Sequence, residues 1–102
     1  MKEIEKHIEE INTLCTLNKV ESLYAFGSVT KDQLRADSDI DLVVAIDDQN
    51  PLSYSDKYFN LKVQLERLFN RPIDLLEEKA IRNRFLKQQI DQTKILVYGH
   101  RN

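Results

Sequence analysis

The 102-residue chain predicts an α/β fold, and three observations carry that prediction. Ile40–Ile46 is a nearly unbroken run of Ile, Leu and Val, which marks a strand covered on both faces. Stretches with apolar residues at helical spacing alternate with strand-like segments along the whole chain. The connections are short, without repeats, linkers or low-complexity tracts, so the alternation reads as one small domain over residues 1–102.

The elements follow in order. Ile4, Ile8, Ile11 and Leu14 recur at helical spacing among glutamates and lysines, predicting one amphipathic helix over about residues 2–17. Val20–Phe26 alternates apolar and aromatic residues and is stopped by Gly27, predicting a strand. Ser28 to about Leu34 reads as a short helix or turn, and Ile40–Ile46 as the second strand. Residues 47–51 form a loop by composition. Ser53 is placed to cap a third helix, with Asp56 as its capping-box partner. Tyr58, Leu61, Leu65, Leu68 and Phe69 mark the buried stripe of that helix to about Asn70. Pro72 blocks continuation, and Ile73–Glu77 reads as a third strand. Ile81, Phe85 and Ile90 loosely mark a last helix, and Ile95–Tyr98 a short edge strand before Gly99.

Composition narrows the class of function. The formal net charge of −2 speaks against a generally basic nucleic-acid binder, and no direct nucleic-acid contact is expected. A hydrophobic fraction of 41% suits a packed soluble fold. Cys15 is the only cysteine, which excludes an internal disulfide and a cysteine metal cluster. The charged amino terminus is unlike a signal peptide and no apolar run reaches membrane-spanning length, so a cytoplasmic location is expected.

Chemistry concentrates in residues 26–42. A strand period of two projects Asp39 and Asp41 from the same face, about 6–7 Å apart. Carboxylates that close repel, and one is driven to protonate unless a cation sits between them. Gly27-Ser28, at the end of the preceding strand, offers a close backbone approach to an anion. A metal-bound phosphate satisfies both. Asp74 is a third carboxylate, set within the apolar Ile73-Asp74-Leu75-Leu76. Alone, it fits equally an edge-strand residue facing water; beside Asp39 and Asp41 on a neighbouring strand, a shared site explains it better.

Gly27-Ser28, ten intervening residues and Asp39-Ile40-Asp41 resemble the glycine-serine/Asp-x-Asp signature of the nucleotidyltransferases related to DNA polymerase β. Ser38-Asp39-Ile40-Asp41-Leu42 is similar in particular to the minimal nucleotidyltransferases, the MNT or MntA-type antitoxins found beside HEPN-domain toxins. The resemblance implies a single palm-like domain with a mixed sheet of three to four strands flanked by helices. It also implies transfer of AMP from ATP, with two magnesium ions, to an acceptor hydroxyl. By the same resemblance Asp39, Asp41 and Asp74 would be catalytic and hold the metal, with Asp74 orienting or deprotonating the hydroxyl. Gly27, Ser28, Lys31 and Ser38 would bind the nucleotide. The chain departs from the signature at Lys31, which loses the forked geometry of arginine, and at Asp32, where glycine is common.

The implied partner is a HEPN toxin whose tyrosine is adenylylated, in a homo- or hetero-oligomer. Two rivals remain open: an antitoxin that neutralises by binding alone, and a nucleotidyltransferase for a small hydroxylated molecule such as an aminoglycoside. Other features read as structure. His7 and His100 lack metal-ligand spacing, and Cys15 continues the first helix's apolar side. Lys79, Arg82, Arg84 and Lys87 suggest a solvated helix face, and Tyr54, Tyr58 and Phe59 a helix core and its rim.

Overall fold

The computed structural model describes residues 1–99; His100 lies outside the described residues. The predicted strands form where the apolar runs place them: β1 (Val20–Phe26), β2 (Ile40–Ile46), β3 (Ile73–Glu77) and β4 (Ile95–Gly99). They make one four-stranded sheet in the order β3-β2-β1-β4. β1 runs antiparallel to both β2 and β4, whereas β2 and β3 are parallel. A parallel pair cannot be joined by a hairpin, and α3 (Pro51–Phe69) is the crossover that joins this one. The sheet is therefore mixed, with β3 and β4 at its edges.

Side-chain alternation divides the sheet into two unequal faces. Ile40, Leu42, Val44 and Ile46 of β2 and Ile73 and Leu75 of β3 enter the main core. There they meet Leu23 and Ala25 of β1, Leu61, Leu65 and Phe69 of α3, and Ile11 and Cys15 of α2 (Ile8–Leu17). The intervening residues point the other way. Phe26 and Val43 form a smaller cluster with Ile90 of α4 (Arg84–Thr93), flanked by Tyr24, Leu76, Ile81 and Leu86.

The helices depart from expectation in three places. The predicted first helix is two: α1 (Lys2–Glu5) and α2 are separated at Lys6-His7, where His7 leaves helical geometry (φ −118°, ψ 17°). Its ring packs edge-on against Phe69, with centroids 5.1 Å apart, and Ile4 and Ile11 on either side of the break both reach the core. The cap of α3 is Asn50, not Ser53. The Asn50 side-chain oxygen accepts from the amides of Leu52 and Ser53, and Pro51 occupies the first helical position, where its missing N–H is no loss. Ser53 instead donates its hydroxyl to Asp48, which also pairs with Lys57. Finally, α4 begins at Arg84, after an Asn83 cap whose side-chain oxygen accepts from Phe85 and Leu86. Ile81 thus precedes the helix, and Phe85, expected to be buried, is 83% exposed.

Burial pushes the Cys15 thiol up to about 12, so it packs as a small hydrophobe. Tyr54 and Tyr58 line the core while Phe59 faces outward, and Lys79, Arg82, Arg84 and Lys87 are all exposed. Among the described residues no helix is long and apolar enough to cross a membrane.

Candidate nucleotide and metal site

Asp41 is the second residue of β2 and Asp74 the second of β3, and the parallel register sets them side by side. Both lie on the sheet face opposite the main core, because their neighbours Ile40, Leu42, Ile73 and Leu75 point into it. Asp39 lies just before the strand, so the period-two alternation expected to align it with Asp41 does not reach it; pairing of β2 with β3 starts at Ile40, and Asp39 is exposed. It is nonetheless near enough to act on Asp41. Partial burial, then the negative charges of Asp74 and Asp39, raise the Asp41 carboxyl above its ordinary range. Among the described residues no lysine, arginine or histidine forms an ion pair with any of the three aspartates.

Gly27 closes the site from the side of β1. Phe26 is paired with Asp41, so the chain leaves β1 beside that carboxylate. Gly27 has φ +75°, and a Cβ built on it would lie 2.8 Å from Asp41 Oδ2. The backbone conformation therefore favours glycine here, and any side chain would also displace the Asp41 carboxylate. From Gly27 the chain enters a 3-10 turn (Gly27–Lys31), in which the Thr30 hydroxyl donates to the Gly27 carbonyl at 2.6 Å. The Ser28 hydroxyl is half-buried and makes no hydrogen bond among the described residues. Lys31 ends the turn with an exposed side chain that is likewise unpaired among them.

Asp32 resolves the departure from the expected glycine. It adopts the left-handed conformation (φ 53°, ψ 39°) that glycine would occupy, one that aspartate tolerates better than most residues. Its carboxylate accepts from the backbone N–H of Lys2 at 2.8 Å, tying α1 to the end of the turn. Ser38 serves the loop before the acids: its hydroxyl accepts from the Arg35 amide at 3.0 Å, and its own amide donates to the Arg35 carbonyl at 3.0 Å.

One contributor escaped the sequence reading. Arg71, between the end of α3 and β3, donates from Nη1 to the carbonyls of both Arg35 and Ser38, each at 3.0 Å. No side-chain pattern advertises such a role, since its partners are main-chain atoms; the one available hint is its place two residues ahead of the Ile73-Asp74 strand start.

Among the described residues, no three acidic, histidine or cysteine side chains converge as a ready metal cage. The acids instead form a ledge with unneutralised charge at the end of two strands. Magnesium suits a ledge better than a cage, since it takes one or two carboxylates and fills its octahedron with water and phosphate oxygens. A concavity of about 620 Å³ lies at the opposite end of the sheet, beside Lys19, Val20, Glu21, Asp47, Tyr98 and Gly99. It holds none of the three aspartates.

Comparison with known proteins bears on the family and the fold. The family described as "Polymerase beta, Nucleotidyltransferase" matches residues 9–102. "Putative protein adenylyltransferase MJ1379" of Methanocaldococcus jannaschii is 35% identical over 79 residues, 78% of either chain. Two further proteins of that organism, similarly named, are 32% identical over 79 residues. A solved structure described as a "putative minimal nucleotidyltransferase" superposes with a TM-score of 0.74 at 28% identity, covering 89% of each chain. A chain from a toxin-antitoxin crystal structure with AMP-PNP superposes at 0.71 and 23% identity, covering 91% of this chain and 73% of that one. A chain from the complex of tri-AMPylated Shewanella oneidensis HEPN toxin with an MNT antitoxin gives 0.66 at 21% identity, covering 95% and 73%. These last two show the fold. With its mixed sheet, its acid ledge and a family match over nearly its whole length, the chain belongs to the polymerase beta nucleotidyltransferase family.

Proposed function

We propose that this chain is a magnesium-dependent protein adenylyltransferase that transfers AMP from ATP to a tyrosine hydroxyl of a HEPN toxin, and so acts as its antitoxin. The observation that carries the reading is the side-by-side placement of Asp41 and Asp74, with Gly27 held against Asp41. The relatives named for adenylyl transfer and the fold shared with toxin-bound antitoxins support it.

The residues fit the metal on their own evidence. Burial and the charges of Asp74 and Asp39 raise the cost of ionising Asp41, no cation pairs with the three acids among the described residues, and a divalent ion removes that cost. Asp39, Asp41 and Asp74 would hold two magnesium ions, whose chemistry is to offset charge on the attacking and leaving oxygens of an in-line displacement. The chain's own groups do the rest. Gly27 lets the triphosphate approach the backbone beside Asp41, and Ser28 offers it a free hydroxyl. Lys31 supplies positive charge at the end of the turn, and Ser38 shapes the loop that delivers Asp39. Asp74, exposed at the sheet edge, accepts or orients the proton of the incoming hydroxyl. The hydroxyl oxygen bonds to the α-phosphorus, the bond to the bridging oxygen breaks, and diphosphate leaves. An open ledge suits an acceptor presented by a second protein.

Intact-mass measurement of a neighbouring HEPN toxin mixed with this chain, ATP and magnesium tests the reading. The toxin should gain whole AMP units, on tyrosine. Asp39→Asn or Asp41→Asn should slow this by on the order of 100- to 1000-fold, as expected when several kcal/mol of metal-based stabilisation are lost. No gain on toxin or added small molecule, with nucleotide still bound, would replace catalysis by neutralisation through binding alone.

A further inference from the structure

The geometry points to Arg71 as a positioning residue that sets Asp39 for its metal. This rests on the magnesium-nucleotide reading above. Asp39 is the one acid outside the sheet, so no strand ladder fixes it. Two hydrogen-bonded anchors replace that ladder, and both come from the dipeptide Arg71-Pro72. Arg71 Nη1 bonds the carbonyl of Ser38, which belongs to the peptide unit preceding Asp39. The Pro72 carbonyl accepts from Ile40 N at 3.2 Å, and that amide belongs to the peptide unit following Asp39. Both peptide planes flanking Asp39 are thereby tied to residues 71–72, leaving chiefly side-chain torsions free.

The same guanidinium nitrogen also holds the Arg35 carbonyl, so one group closes the 35–38 turn from outside while Ser38 closes it from within. Nη1 carries two hydrogens in a fixed plane, one for each carbonyl, and its charge strengthens both bonds. No carboxylate among the described residues pairs with Arg71, so its charge is directed to these carbonyls. The residues at the other end of this connection are also fixed. Asn70 ends α3 in the left-handed conformation, and Glu66 accepts from Ile73 N at 3.2 Å. Residues 71–74 thus carry both the third acid and the holder of the first, which couples the spacing of Asp39 to that of Asp74.

Titrating magnesium chloride against the full chain with AMP-PNP, read by thermal shift and by bound nucleotide, tests this without turnover. Arg71→Ala should raise the magnesium midpoint about tenfold, the usual cost of losing a group that orients a metal ligand. Arg71→Lys should fall between, because it restores a donor but not the planar fork. Asn50→Ala, which removes a helix cap far from the acids, should lower the metal-free melting temperature and leave the midpoint in place. Arg71 variants that melt earlier with an unchanged midpoint would overturn the assignment and leave Arg71 a structural residue. If Arg71→Ala does not fold, the midpoint of Arg71→Lys decides in the same way. A wild-type chain that shows no magnesium response would sink the metal-nucleotide reading itself, a result distinct from the failure of the clamp.

Discussion

The two faces of one sheet do opposite work. On the helix-covered face, Ile40, Leu42 and Val44 of β2 are each no more than 1% exposed and pack against α2 and α3. On the other face of the same strand, Asp41 is half-buried beside Asp74, and its apolar neighbours are a small cluster under α4. The packed core lies on the first face and the candidate site on the second, at alternate residues of one seven-residue strand. Charge can be held at a cost on the second face because the first already secures the fold.

A core truncation probes the division most strongly. Leu65→Ala, at a fully buried site on α3, should cost about 2–5 kcal/mol of stability. Chemical denaturation measures that loss, and the magnesium midpoint of the protein still folded should not move. A shifted midpoint would show that the core face tunes the site.

Gly27→Ala sits on the boundary and should affect both properties. Left-handed backbone costs a non-glycine residue about 1–2 kcal/mol, and the new methyl group would press on Asp41 Oδ2. Stability should fall by at least that amount and AMP transfer should fall with it. Transfer at the wild-type rate would break the claim that Gly27 shapes the ledge.

The smallest effect has the opposite sign. With its carboxyl raised in the folded state, Asp41 holds its proton more tightly there than in the unfolded chain. Its contribution to stability is thus present at acidic pH and lost as pH rises through the raised value. In metal-free buffer Asp41→Asn should therefore melt above wild type at neutral pH. That advantage should shrink as pH falls through the raised value and vanish below the ordinary carboxylate range. Magnesium with AMP-PNP should reverse the order by stabilising only the wild type. A variant less stable than wild type at neutral pH without metal would mean that the Asp41 carboxylate is favourably paired.

What could be read from residue types alone follows the physics of each element. The bounds of β1, β2 and β3 were legible because buried strands write themselves as short apolar runs ended by glycine, proline or polar loops. Asp41, Asp74 and Gly27 stood out because they interrupt those runs or end them. The break at His7 was not legible: neither Lys6 nor His7 is a helix breaker, and the ring meets Phe69, 62 positions away in the chain. The start of α4 was misread because Phe85 is apolar yet exposed, while the polar Asn83 supplies the cap. Arg71 was invisible because it acts on carbonyl oxygens, which every residue has.

The alternation in β2 also bears on how the chain finds its fold. A one-residue slip of a strand turns every side chain to the opposite face. In β2 such a slip would drive Asp41 among the aliphatic residues under α3 and turn Ile40 and Leu42 out of the main core to the opposite face; in β3 it would do the same with Asp74. Burying an unpaired carboxylate costs several kcal/mol, so a misaligned parallel pair is rejected twice over. The acids that form the ledge thus also proofread the assembly of the sheet that carries them.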